Sequence, residues 1–267
     1  MQAVPLGFAL FLLELAVGGI LVSAILDWDG EVSGGFLFLN SAFLAVFGAA
    51  ALWLRSILPV GLLVGYPIDA ALAATEPVWW GVFVALAFAY SILLRLDRRS
   101  PARAAGTLAA LAGAGALAVS AAIYLPPGGA YALLLASLLA GALALGTVWS
   151  GMMLGHWYLV TPRLAPRPLL RLTAALAAVL IVQAILLAGQ ALAGAAADLL
   201  GAPLSLLFWL RVAVGVVFPL ALCFLVWRTA RVRSMMSATG LLYIALGTVL
   251  TGQIIASALF FVSETPV

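Results

Sequence analysis

The chain has 267 residues, of which 66% are hydrophobic and only 8% are charged. So few charges could not cover the surface of a water-soluble domain of this length, so lipid must surround most of the chain. The formal net charge is +3, but the arginines lie in short connections and form no basic stripe interleaved with aromatic residues, which excludes a nucleic-acid-binding surface.

The first apolar run follows residues 1–5, which contain neither Lys nor Arg. A secretory signal would begin with a basic segment and end at a small-residue cleavage site, so this run is predicted to be a retained membrane helix. Eight apolar runs in all are long enough to cross the bilayer core, at about 6–27, 34–54, 78–96, 104–124, 131–157, 169–194, 205–227 and 237–262. The predicted fold is all-α, a polytopic helix bundle that forms a single transmembrane domain over residues 1–267.

Residues 57–75 leave the helix count open. The segment is apolar enough for a ninth helix, and nine helices would place the acidic connection after the first helix outside the cell. Against this stand Pro59, Pro67 and Asp69 in a stretch of marginal length. We expect eight helices, with 57–75 as an interfacial or re-entrant segment, and we keep nine as the alternative.

Arginine placement predicts the orientation of the bundle. Ten arginines lie in or beside odd-numbered connections, whereas the even-numbered connections near 124–130 and 194–204 have none. The ten are Arg95, Arg98, Arg99, Arg103, Arg163, Arg167, Arg171, Arg228, Arg231 and Arg233. By the positive-inside rule, the odd connections are cytoplasmic and both termini are outside, in the bacterial inner (plasma) membrane. The acidic first connection then falls on the cytoplasmic side, where Asp and Glu have little effect on orientation.

Small residues are frequent in several helices, as at Gly18, Gly19, Gly141 and Gly146. Such residues let helix backbones approach closely in lipid, so tight packing is the expected result. The alternative is a groove that admits a flat ring or a lipid tail.

Polar residues inside membrane helices are the best indicators of function. Glu14 lies near the middle of the first helix, and we expect it to form a proton path with Gln183 at a similar depth. Arg211 is either an interfacial anchor or a counter-charge to Glu14, Asp69 or an anionic ligand. Gln190 and Gln253, together with Asp69, are candidates for structural contacts or ion pairs.

Residue types that often bind ligands or exchange protons are most concentrated at the end of the fifth helix. His156, Trp157 and Tyr158 are adjacent, and Trp149, Met153 and His156 share one helical stripe. With Tyr243 of the eighth helix, these residues are candidates for a quinone or ligand pocket, in which His156 would exchange protons. Plain interfacial anchoring is the alternative.

His156 is the only histidine and Cys223 the only cysteine. A bis-histidine haem within this chain is therefore excluded, and no haem or metal site is predicted for the chain alone. Motifs for nucleotide hydrolysis and for a serine triad are also absent from the sequence.

The motif GHWYL at 155–159, followed by Pro162, and the motif ATGLLY at 238–243 resemble a family of uncharacterised bacterial polytopic membrane proteins. The resemblance covers mainly helices five to eight and implies no particular activity. The helix count and the Gly-rich first helix are also loosely similar to membrane subunits of the polysulfide-reductase type. That similarity implies quinone as a ligand and iron–sulfur partner subunits, but no binding residues.

Three functions are consistent with these features. The first is a membrane subunit of a respiratory redox complex, active in electron transport, which binds quinone, conducts protons or does both, and anchors partner subunits. The second is a transporter of a small molecule or ion. The third is a non-catalytic membrane scaffold or assembly factor.

Overall fold

A computed structural model describes residues 3–58, 68–161, 164–192, 204–263 and 265–266. In these ranges the chain forms eight helices that are long and apolar enough to cross a membrane. They are α1 (Ala3–Asp29), α2 (Gly34–Ser56), α3 (Ala70–Arg95), α4 (Arg99–Ile123), α5 (Tyr131–Val160), α6 (Arg167–Leu192), α7 (Ser205–Arg231) and α8 (Met235–Ser263). The predicted all-α polytopic bundle is confirmed.

The short connections contain the capping residues and left-handed residues at which helices begin and end. The Ser33 side chain accepts a hydrogen bond from the backbone N–H of Phe36 and caps α2. Asp97 and Arg233 adopt left-handed backbone conformations, with φ of 56° and 58°, directly after α3 and α7. This conformation ends a helix within one residue, so α4 and α8 can start almost at once.

The third helix begins well before the predicted start at residue 78. Asp69 is its N-cap, because its carboxylate accepts hydrogen bonds from the backbone N–H groups of Ala71 and Leu72. The helix continues through Pro77, which was expected to lie outside it. Of the segment 57–75, residues 70–75 therefore belong to α3, and 59–67 lie outside the described residues.

Helix α1 lies at the centre of the bundle. In its most apolar 18-residue window, 83% of the residues are buried, and α1 packs against α2, α4, α5 and α8. A Cβ atom added to Gly18 would lie 1.7 Å from the carbonyl oxygen of Ala142, and one added to Gly146 would lie 2.1 Å from the carbonyl carbon of Gly18. The two backbones are in direct contact, as the small residues predict.

Helix α7 contains a short π-helical turn at Ala213–Val217. At this turn Gly215 packs against Gly252 of α8, and a Cβ atom on Gly252 would lie 2.2 Å from the Cα atom of Gly215. π-turns inside α-helices occur often at functional sites. This one directly follows the buried Arg211.

The acidic first connection pairs with arginines at the starts of α4 and α6. The buried Asp27 carboxylate lies 2.7 Å from Arg99 Nη1 and 3.8 Å from Arg103 Nε. Arg171 lies 3.0 Å from Asp29 and 3.4 Å from Glu31. The acidic residues that fitted the charge rule poorly thus neutralise arginines on the same face of the bundle.

Candidate functional site

Glu14 is buried in the middle of the bundle, with 3% of its surface exposed. At about 1.5 Å per residue, it lies roughly 16 Å along α1 from the start of that helix. Its carboxyl group lies beside the side-chain amide of Gln253 on α8. A carboxyl group at this depth is costly in its charged form, so its partners decide its chemistry.

Gln253 connects Glu14 to a third helix. The Gln183 Nε2 atom on α6 donates a hydrogen bond to Gln253 Oε1 over 3.3 Å. Gly141 of α5 leaves room for this group, since a Cβ atom there would lie 2.3 Å from Gln253 Nε2 and 3.0 Å from Glu14 Oε2. The two residues of the predicted proton path, Glu14 and Gln183, are thus joined through Gln253, which the sequence had indicated only as a structural contact.

Arg211 is the basic member of the same region. It is 2% exposed, so it does not reach the interface as an anchoring arginine would. Its guanidinium group packs at the close contact of Gly215 with Gly252, and its charge interacts with that of Glu14. In the part of the chain that the structure describes, no acidic side chain lies within 4.0 Å of Arg211, and its Nε and Nη1 atoms have no hydrogen-bond partner. We call Glu14, Gln183, Arg211 and Gln253 the central polar cluster.

A small cavity of about 30 Å³ adjoins Glu14 and Gln253. Ser137 of α5 and Ser257 of α8 contribute hydroxyl groups to its wall. A cavity of this size holds a water molecule when two or more polar groups line it. The site therefore combines a buried carboxyl group, an amide and space for water.

The residues of the predicted inner pocket face different neighbours. His156 is exposed and Tyr243 is 50% exposed. Trp157 packs edge-on against Phe36 of α2, whereas the Tyr158 hydroxyl donates a hydrogen bond to the carbonyl oxygen of Ala165. His156, Trp157 and Tyr158 thus lie on different sides of α5, and Tyr243 lies on α8.

The other predicted site residues have structural contacts. Trp149 packs edge-on against Phe43 and Phe47, and Met153 is half-buried on the same helix. Gln190 is buried, and its side-chain amide donates a hydrogen bond to the carbonyl oxygen of Pro266. Asp69 caps α3 and forms no ion pair with a described residue.

A second buried acid, Glu76, was not among the residues that the sequence indicated. Its Oε2 atom lies 2.5 Å from Arg55 Nε of α2 and accepts a hydrogen bond from the Tyr124 hydroxyl over 2.9 Å. Its Oε1 atom accepts a hydrogen bond from the Ser120 hydroxyl over 2.7 Å. Burial and the adjacent Glu76 carboxylate raise the pKa of Tyr124 well above its usual value, so Tyr124 stays a donor. The helical cap at Asp69 was the signal that Glu76 lies inside a helix.

A third polar group joins α1, α2 and α5 without charges. The Asn40 amide donates hydrogen bonds to the hydroxyl groups of Ser23, over 2.9 Å, and Ser150, over 3.1 Å. This contact is the interhelical role expected of amides and hydroxyls in a membrane. Among the described residues, no group of three or more His, Cys, Asp and Glu side chains is placed to hold a metal ion.

Comparisons with family models, with curated proteins and with solved structures find no match to this chain.

Proposed function

We propose that this protein is a membrane subunit of a respiratory redox complex and that it transfers protons inside the membrane. In this proposal Glu14 is the group that binds and releases the proton. The observation that carries the proposal is the burial of the Glu14 carboxyl group beside the Gln253 amide and a cavity with room for water. Gln253 in turn accepts a hydrogen bond from Gln183.

The chemistry of the central polar cluster fits this role. A carboxyl group can take up and release a proton, whereas Gln253 can donate to a carboxylate or accept from a carboxylic acid. The same amide therefore stabilises both protonation states. Arg211 supplies positive charge that favours the carboxylate, while burial favours the neutral acid. Opposing influences of this kind are typical of a group that changes its protonation state during function.

Quinone binding is the second part of the proposal. An apolar cleft of about 410 Å³ opens toward lipid between α6 and α7. Phe208 and Trp209 line one wall, and Ala184, Ala188 and Ala191 leave a flat opposite wall. The cleft adjoins the central polar cluster along the chain, because Ala184 follows Gln183 and Val212 follows Arg211. The exposed His156 group remains the alternative quinone site.

Arginine placement supports an orientation with the odd-numbered connections in the cytoplasm of a bacterial cell and both termini outside. On this side Arg228, Arg231 and Arg233 are exposed and form no ion pair with a described residue. They offer a basic surface on which a peripheral redox subunit can dock.

Infrared difference spectroscopy of the purified protein tests the proton site without a partner subunit. We expect a protonated-carboxyl band that responds to pH, shifts in deuterated water and disappears in Glu14→Gln. Glu31→Gln, at a half-buried position in the first connection, is the matched control and should keep the band. A band that persists unchanged in Glu14→Gln would overturn the proposal.

Quinone binding to the purified protein tests the second part. Ala188→Phe fills the cleft and should abolish binding if the cleft is the site, whereas His156→Ala should do so if the site lies at the end of α5. Ile185→Phe is the control, because Ile185 is a lipid-facing residue of α6 and does not line the cleft. Unchanged binding in both variants would exclude both sites.

Transport of a small anion together with a proton is the second candidate function. Two observations favour it: the buried Arg211 atoms without a partner among the described residues, and the π-helical turn that follows. Flux into proteoliposomes that requires both Glu14 and Arg211 would favour the transporter. Co-purification with partner subunits but without quinone or flux would indicate a scaffold.

A further inference from the structure

Two cavities lie in series between Glu14 and one face of the bundle. The inner cavity is the one of about 30 Å³ beside Glu14. The outer cavity, of about 260 Å³, is lined by the connection between α4 and α5 and by Gln190 near the end of α6. Leu134 and Pro266 line both cavities, so the two share a wall.

The outer cavity belongs to the face that carries the even-numbered connections. Pro126, Gly128, Gly129 and Ala130 of the fourth connection form part of its wall. We call this side the even face. It lies opposite the connections that contain the paired Asp27, Asp29 and Glu31.

Polar groups continue along this route. Ser137 on α5 and Ser257 on α8 lie at the inner cavity, and Gln190 and Thr265 lie at the outer one. Water that enters from the even face would therefore find a hydrogen-bonding group at each step. A purely apolar cavity of the same size would stay dry.

The opposite direction is closed by backbone contact. Gly18 lies one helical turn beyond Glu14 and packs directly on Ala142 and Gly146 of α5. Gly19 packs on the Leu44 side chain, since a Cβ atom there would lie 2.2 Å from Leu44 Cδ2. The next polar side chain of α1, Ser23, is about 13 Å farther along the helix and binds Asn40 instead.

We propose that the two cavities form a one-sided entry path, which admits water and protons from the even face to Glu14 and ends at the glycine contact between α1 and α5. The path concerns the access of water to Glu14, and its use by protons rests on the function proposed above. In a redox subunit it would fix the side from which Glu14 takes up and releases its proton.

Cysteine accessibility tests the path directly. Cys223 is buried and is the only cysteine, so Cys223→Ala gives a background without thiols. Ser137→Cys and Ser257→Cys place a thiol at the inner cavity, and Ser23→Cys and Ser150→Cys place one beyond the glycine contact. Ala130→Cys and Ser100→Cys, both at exposed positions, identify the even and the opposite face.

A small, membrane-impermeant, cationic methanethiosulfonate reagent is added to one side of sealed vesicles. We expect Ser137→Cys and Ser257→Cys to react from the side that modifies Ala130→Cys, and at least tenfold more slowly from the side that modifies Ser100→Cys. Ser23→Cys and Ser150→Cys should react from neither side. Equal reaction of the cavity thiols from both sides, or none from the even face in either variant, would overturn the path.

The labelling and infrared results together distinguish a failure of the entry path from a failure of the proposed proton site at Glu14. Glu14→Gln in the Ser257→Cys background should leave the labelling unchanged, because water access does not require the carboxyl group. One-sided labelling together with an infrared band that does not respond to pH would retain the path and reject the proposed function of Glu14. Loss of labelling in Glu14→Gln would reject a preformed path.

Discussion

Arg55 and Glu76 form an ion pair inside the bundle, with Nε 2.5 Å from Oε2. Both residues are buried, and the pair joins the end of α2 to the first half of α3. Hydrogen bonds from Ser120 of α4 and from Tyr124, the C-cap of that helix, occupy the rest of the carboxylate. Three helices are therefore held together by one carboxylate.

Glu76→Ala should destabilise the protein strongly. The change leaves Arg55 buried without its partner, which costs roughly 3–5 kcal/mol in known buried pairs. Asp29→Ala breaks only a partly exposed contact with Arg171 and should cost less than about 1 kcal/mol. Unfolding of both variants in detergent would measure the difference. Equal losses would contradict the importance of the Arg55–Glu76 pair.

Gly141→Ala should disturb the central polar cluster without unfolding the bundle. The new methyl group would lie 2.3 Å from Gln253 Nε2, so that side chain must move away from Glu14. Gly151→Ala is a control on the same helix, because its methyl group would meet Leu242 at an ordinary 3.7 Å. The carboxyl infrared band should shift in Gly141→Ala alone. An unshifted band would show that Gln253 does not control Glu14.

Gly18→Ala should prevent close packing of α1 on α5. The clash is with the backbone of Ala142, which cannot rotate away, so we expect a loss of at least about 2 kcal/mol of stability. Gly247→Ala has no atom within 4 Å of its new methyl group and should change stability by less than about 1 kcal/mol. Thermal denaturation in detergent would compare them. A well-folded Gly18→Ala variant would argue against direct backbone contact.

Asp27→Asn should weaken the end of α1. The buried carboxylate pairs with Arg99 and Arg103 and accepts a hydrogen bond from Tyr90 over 3.5 Å, whereas an amide lacks the charge that both arginines require. We expect a loss of about 2–4 kcal/mol, in line with a partly buried charge that loses its counter-ion. Asp29→Asn is the exposed control. The same stability for the two variants would refute a special role for Asp27.

His156→Ala should leave stability within about 0.5 kcal/mol of the wild-type protein, because the side chain is exposed. Any loss of quinone binding in this variant would then be a direct effect. Thermal unfolding and quinone titration on the same sample would measure both. A large loss of stability would mean that His156 has a packing role.

The structural features that depend on the lipid solvent and on the spacing of residues along a helix could be predicted from the sequence. The number of described helices, the depth of Glu14 and the close packing at Gly18 all follow from apolar length and residue size. The start of α3 did not follow, because the helix was predicted to begin at about residue 78 and Asp69, its N-cap, was interpreted as a candidate for an ion pair. Glu76 was therefore counted outside a helix.

The partners of the buried polar groups could not be predicted. Gln183 and Gln253 are far apart in the sequence and meet only in the assembled bundle. The same holds for Arg55 with Glu76. His156 was a candidate for a functional role because it is the only histidine in the sequence. Residue type alone does not determine which side of α5 contacts a neighbouring helix. Only the assembled bundle places Trp157 toward α2 and leaves His156 exposed.

The central position of α1 has a consequence for biogenesis. Synthesis delivers this segment before α5, whose backbone covers it at Gly146, and the ribosome needs roughly ten seconds to make the intervening chain. During that time Ser23 and Asp27 gain their partners from α2, α3 and α4, whereas Glu14 still lacks Gln253 of α8. The burial of Glu14 against Gln253 must therefore follow the synthesis of α8 and is a late step in the assembly of the bundle.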